Sequence, residues 1–90
     1  MSDGLAARRK RLLMQSRRRG MREMDLVLGA FADYHLATFN AEQMDRYEAL
    51  LGCPDPDLVA WIGGGAPVPR VHDHDVMDLL QSFKIRVPTN

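Results

Sequence analysis

Chain breakers recur along this sequence, and they limit its fold more than any other feature. Gly20, Asn40, the Gly52 to Pro56 run and Gly63-Gly64-Gly65 cut the 90 residues into short stretches. Within those stretches the apolar residues recur at helical spacing, and none of useful length alternates as a strand would. From about Met21 to Ala37, Met24, Leu28, Phe31 and His35 fall at i, i+4, i+7 and i+11, with Val27 and Tyr34 adjoining. That spacing predicts a central helix with a broad apolar face.

The flanking stretches read the same way. A first segment, about Asp3 to Arg18, sets Leu5, Leu12 and Leu13 among basic residues, so its apolar face is narrow. A third begins at Asn40 as N-cap with Gln43 three residues on, a capping-box pattern, and carries Met44, Tyr47, Leu50 and Leu51 up to the stop at Gly52. A fourth opens with Asp55 as cap and Pro56 at the first helical position, where proline's missing amide costs nothing, and bears Leu58, Val59, Trp61 and Ile62. Gly63 to Arg70 reads as a loop. A last helix, about Asp73 to Ile85, places Val76, Leu79, Leu80 and Phe83 on one side, and Val87 to Asn90 read as a frayed tail.

Five helices with short connections predict a compact all-α five-helix bundle and a single domain over residues 1–90. Its expected core is Met24, Leu28, Phe31, Tyr47, Leu51, Leu58, Trp61, Ile62, Leu79, Leu80 and Phe83. No apolar run approaches the ~18 residues a membrane span needs.

Net charge is zero but unevenly placed. Residues 1–23 hold eight basic side chains against two acidic ones, a net of +6, and the remainder is −6. Such a dipolar chain orients charged partners, with an attraction that salt weakens. The basic cluster Arg8 to Arg11 also raises an alternative: a small nucleic-acid-binding protein using a basic N-terminal helix, with salt-dependent phosphate contacts. Against that reading, the rest of the chain is acidic and no aromatics are interleaved with the arginines for base stacking.

Cys53 is the only cysteine, which excludes an intrachain disulfide and suits a reducing compartment. It reads as a half-buried small residue beside the Gly52 to Pro54 turn. The arginine-rich start superficially resembles a mitochondrial transit peptide, yet its helix runs into the motif below with no removable segment before it. A bacterial cytoplasm is the expected location, or the mitochondrial matrix in a eukaryote.

Conventional catalytic patterns are missing from the sequence. His72-x-His74 with Asp73 and Asp75 is one local cluster without the distant second pair of a tetrahedral metal site. His35, on the apolar side of its helix, reads as a hydrogen-bonded core residue rather than a base. The triple glycine lacks the Gly-Lys-Ser/Thr ending of a phosphate loop. No enzyme is expected, and neither a metal nor a permanently bound cofactor.

Dense positive charge, a glycine and a turn-spaced carboxylate coincide only at Arg17 to Asp25. With Gly20 as N-cap, Glu23 would take the third helical position, where a carboxylate favours the positive helix end. The string Arg18-Arg19-Gly20-Met21-Arg22-Glu23, with its Arg19-Gly20-x-x-Glu23 core, resembles the signature of the SdhE-type flavinylation factors. A second match lies at Asp55-Pro56-Asp57-Leu58-x-x-Trp61, and the resemblance covers roughly Leu12 to Phe83.

That resemblance implies an assembly factor that binds the flavoprotein subunit of succinate dehydrogenase, with fumarate reductase as a further client. It implies assistance to covalent FAD attachment in the partner. Arg18, Arg19, Gly20, Met21, Arg22 and Glu23 would form the partner-binding surface. On this view Gly20 lets a partner backbone approach, Arg19 engages a partner carboxylate or carbonyl, and Glu23 pairs with a partner base or orients Arg19.

Overall fold

A computed structural model describes residues 3–83 of the chain. Five helices account for most of it: α1 (Asp3–Ser16), α2 (Arg22–His35), α3 (Ala41–Leu51), α4 (Asp55–Gly63) and α5 (Asp75–Phe83). Helix α1 lies against α2 and α3, while α5 packs on both α3 and α4. Among the described residues there is no strand, so the chain is an all-α bundle.

The centre is built by α2 and α3. Met24, Leu28, Phe31 and Ala32 from α2 meet Met44, Tyr47, Leu50 and Leu51 from α3, and Leu58, Ile62, Val76, Met77 and Leu80 close the far side. Trp61, Leu79 and Phe83, expected in the core, are only partly buried and pack against its edge. Each lies where a short helix turns its flank toward solvent. Leu36 and Phe39 are buried instead, because α2 tightens into a 3-10 turn at Leu36–Thr38 that carries them under the bundle.

His35 departs from its expected role in the same region. It is half-buried, and among the described residues no hydrogen bond reaches its ring. It stacks on rings instead, 4.7 Å from Phe31 and within 6.0 Å of Phe39 and Phe83.

The polar helix α1 is held differently. Among its described side chains, only Leu12 and Ser16 are fully buried. Ser16 Oγ donates to the Leu12 carbonyl at 2.7 Å and accepts from the Tyr47 hydroxyl at 2.6 Å. Arginines attach the rest: Arg8 pairs with Asp45 (2.6 Å) and Glu48 (2.8 Å), and Arg11 reaches Glu48. Arg9 donates to the Leu36 and Phe39 carbonyls at 3.0 and 3.1 Å.

Helix ends follow local chemistry, with several shifts. The capping box at α3 forms as expected: Gln43 N donates to Asn40 Oδ1 at 2.8 Å and Asn40 N to Gln43 Oε1 at 3.0 Å. Helix α1 stops at Ser16, two residues early, as Arg17 N and Arg18 N turn back to the Met14 and Gln15 carbonyls. Met21, not Gly20, is the N-cap of α2, which moves Glu23 from the third to the second helical position. Pro54, not Asp55, caps α4, so Pro56 sits one place further in. Gly64 ends α4 with φ +82°, a conformation that favours glycine.

Helix α5 begins at Asp75, where His74 Nδ1 accepts from Met77 N at 3.2 Å, a structural role for that histidine. The expected extension to Ile85 and the tail Val87 to Asn90 lie outside the described residues.

Candidate docking site

The turn Arg17 to Met21 must reverse the chain within a few residues, and Gly20 makes that possible. Its φ of +108° lies in a region that L side chains rarely adopt. A Cβ built there would meet nothing within 4 Å. Backbone strain, rather than crowding, therefore excludes a side chain, and the space beyond Gly20 is open.

Two carboxylates hold this turn from opposite sides. Asp25, in the first turns of α2, accepts from Arg19 N at 2.5 Å. Asp55, the first residue of α4, accepts from Arg19 Nε at 2.8 Å, and Arg19 Nη2 lies at the same distance. The remaining guanidinium bonds go to backbone: Nη2 donates to the Cys53 carbonyl at 2.6 Å and Nη1 to the Leu51 carbonyl. Leu51 is the last residue of α3, so the arginine also satisfies carbonyls at a helix C-terminus, where a cation is favoured. Arg19 and Asp55 side chains are 12% and 11% exposed.

Where the sequence suggested a partner carboxylate or carbonyl for Arg19, the residue has found all of these in its own chain. The same contact explains why Asp55 does not cap α4. A nearly buried guanidinium bonds a carboxylate more strongly than a helix amide does. Thus Arg19 of the first signature and Asp55 of the second form one clasp, joining segments 36 residues apart.

The other members of the expected site face outward. Arg18, Gly20, Arg22 and Glu23 are exposed, and Met21 is 38% exposed. Among the described residues, no side-chain hydrogen bond or ion pair engages Arg18, Arg22 or Glu23. Arg18 edges a broad groove with Arg11, Met14, Gln15 and Gly52. Glu23 stands at a smaller, apolar groove of about 180 Å³ between α2 and α4, lined by Met24, Val27, Val59, Ile62 and Gly63.

The structure turns Arg8 and Arg9 of the basic N-terminal segment inward, while Lys10, Arg11, Arg17, Arg18 and Arg22 stay exposed. Arg8, Arg9 and Arg11 bind α3 carboxylates or carbonyls after α2, and Arg17 Nη2 donates to both Asp33 carboxylate oxygens, at 2.7 and 3.0 Å. These four arginines are thus engaged within the chain rather than free to contact a phosphate backbone. Cys53 is half-buried as expected, with Sγ 3.4 Å from His72 Nε2, and burial pushes its thiol pKa up, away from reactivity. Among the described residues, no group of three or more His, Cys, Asp or Glu side chains is placed to hold a metal ion. No described helix is long and apolar enough to cross a membrane.

Asp25 and Asp55 are the residues that sequence reasoning missed. Asp55 lies inside the second string, where it reads as a helix cap, and Asp25 ends the Arg17 to Asp25 stretch, where its spacing suggests no role. The usable signal was charge complementarity between the strings, one with an arginine at a glycine turn and the other with an unpaired aspartate.

Fold and corner together define a class: a small all-α protein whose two sequence signatures meet in a nearly buried ion pair. Within that class, the chain belongs to the Sdh5 family, flavinator of succinate dehydrogenase, whose model matches residues 10–84. It is 42% identical over 82 residues to succinate dehydrogenase assembly factor 2-A, mitochondrial, of Drosophila erecta, covering 89% of this chain and 51% of that one. Assembly factor 2 of Dictyostelium discoideum is 44% identical over 73 residues (81% and 52% covered), and that of Danio rerio 39% over 83 residues (90% and 52%). The chain thus spans about half the length of the curated relatives it matches.

Proposed function

We propose that this protein is an assembly factor that binds the flavoprotein subunit of succinate dehydrogenase and promotes covalent attachment of FAD to it. The new bond joins the flavin to a histidine of the partner, and the factor contributes no catalytic group. Its contribution is geometric. Attachment needs the reactive flavin methyl held near that histidine, and fixing such an orientation lowers a barrier by several kcal/mol. A factor that binds the competent arrangement of the partner more tightly than the others shifts the population toward it.

The observation that carries this reading is the Gly20 corner, open in front and clasped from behind by Arg19 and Asp55. Arg18, Gly20, Met21, Arg22 and Glu23 supply the contact surface, with Glu23 pairing with a partner base. Arg19 acts as a positioning residue that holds the corner's shape. No cofactor is held permanently, and the FAD concerned belongs to the partner. Fumarate reductase is a second client on the same chemistry. The site of action is the bacterial cytoplasm, or the mitochondrial matrix in a eukaryote, where the flavoprotein subunit matures.

Co-expression with the flavoprotein subunit tests this. Covalent flavin is read as fluorescence of that subunit after denaturing electrophoresis. Glu23→Ala and Gly20→Arg should each reduce it strongly, while circular dichroism shows the helical content kept. Wild-type fluorescence with both variants would remove the corner from the mechanism.

A further inference from the structure

The groove between α2 and α4 joins the two signatures on the outer surface, as the clasp does inside. Its floor is aliphatic, made of Met24, Val27, Val59 and Ile62. Val59 is 44% exposed, large for a valine with no structural partner above it. Of the described residues lining the groove, Glu23 alone is charged, and among the described residues no cation forms an ion pair with it.

Gly63, the last residue of α4, closes the groove, and a helix C-terminus carries partial negative charge. The amides after α4 turn to the Ala60 and Trp61 carbonyls, leaving those of Ile62 and Gly63 without a bond from that segment. A carboxylate and a negative helix end thus border an apolar trough. An occupant that suits both brings aliphatic surface and a positive charge together.

We propose that this groove receives a partner segment in which an aliphatic side chain is followed closely by a lysine or arginine. The aliphatic group fills the space over Val27, Val59 and Ile62, and the cation pairs with Glu23 at the rim. A volume of about 180 Å³ suits one such side chain. The basic residue's methylene stem can also lie along the apolar wall while its head stays wet. This inference rests on the functional reading above and deepens it, since it extends the Gly20 corner along α2 and defines what the partner must present.

The test uses the full chain and, as probe, the succinate dehydrogenase flavoprotein subunit purified without covalent flavin. Binding is measured for wild type, Val59→Glu, Glu23→Lys, Gly20→Arg and Leu26→Glu. Leu26 is 59% exposed on α2 and lines a different depression, so it serves as the surface control. Val59→Glu and Glu23→Lys should each weaken binding about tenfold or more, the first by burying a carboxylate under the aliphatic side chain and the second by setting a like charge against the cation. Leu26→Glu should stay within about twofold, as for a substitution outside the contact.

A photo-crosslinking residue at position 59 should then capture a flavoprotein peptide with a lysine or arginine beside an aliphatic residue. Val59→Glu binding as wild type while Gly20→Arg fails would overturn the groove and leave the functional reading standing. Crosslinking to a second copy of this chain, or to an acidic peptide, would also overturn it. Wild-type protein that does not bind the subunit at all would overturn both.

Discussion

Removing the Asp55 carboxylate strikes the clasp at its centre. In Asp55→Ala the Arg19 guanidinium keeps the Leu51 and Cys53 carbonyls but loses its counter-ion, while remaining about as enclosed as in the parent, where its side chain is 12% exposed. Breaking a buried pair from one side typically costs about 3–5 kcal/mol. The surviving carbonyl bonds favour the lower end, so we expect about 3 kcal/mol. For a domain of this size each kcal/mol corresponds to about 4–8 °C in Tm, hence a fall of about 12–24 °C. Calorimetry and urea titration at neutral pH would measure it, and Asp55→Asn, which keeps an acceptor without the charge, should fall between.

A second measurement separates the clasp from simple surface pairing. Arg19→Met combined with Asp55→Ala should cost clearly less than the sum of the single changes, with a coupling of about 1 kcal/mol or more. Arg19→Lys should not rescue the wild-type value, because one ammonium cannot reach a carboxylate and two carbonyls in the arginine's fork geometry. If Asp55→Ala costs less than about 1 kcal/mol, the pair behaves as a solvent-screened surface bridge and the positioning argument fails.

Other expectations follow from neighbouring features. Burial lowers the pKa of both His35 and His74, so their neutral forms favour the folded state. Their stabilising effect is full above the ordinary histidine value of about 6.5 and is lost as pH falls through the lowered folded values. Tm should therefore drop between pH 7 and 5, and less so in His35→Phe. Tyr47→Phe removes the hydroxyl that donates to buried Ser16 and should cost about 1 kcal/mol by urea denaturation, with Ser16 still bonded to Leu12. Trp61→Ala should cost about 2 kcal/mol by the same assay, below the ~3–5 kcal/mol of a fully buried tryptophan, since Trp61 lies at the core's edge against His72.

Local chemistry made much of this fold legible. The Asn40 and Gln43 capping box needs only residues three apart, and the buried face of α2 repeats with a helix's own period. What depended on distant partners was harder to read. Leu12 looked like one leucine on a narrow face, yet it is fully buried because arginines on either side bind α3 and the turn after α2. The corner was legible as a place, through Gly20 and the charges around it. Its construction was not, since nothing near Arg19 in sequence announces Asp55.

The clasp also sets an order of events during synthesis. A ribosome that has delivered residues 17 to 25 has supplied every outward-facing group of the corner, but the carboxylate that seats Arg19 arrives 36 positions after it. Until then the turn is held from one side only, by Asp25. A fragment ending before Asp55 would carry the whole Arg19-Gly20-x-x-Glu23 string and still lack the surface, so a client should meet this protein only once its chain has passed the fourth helix.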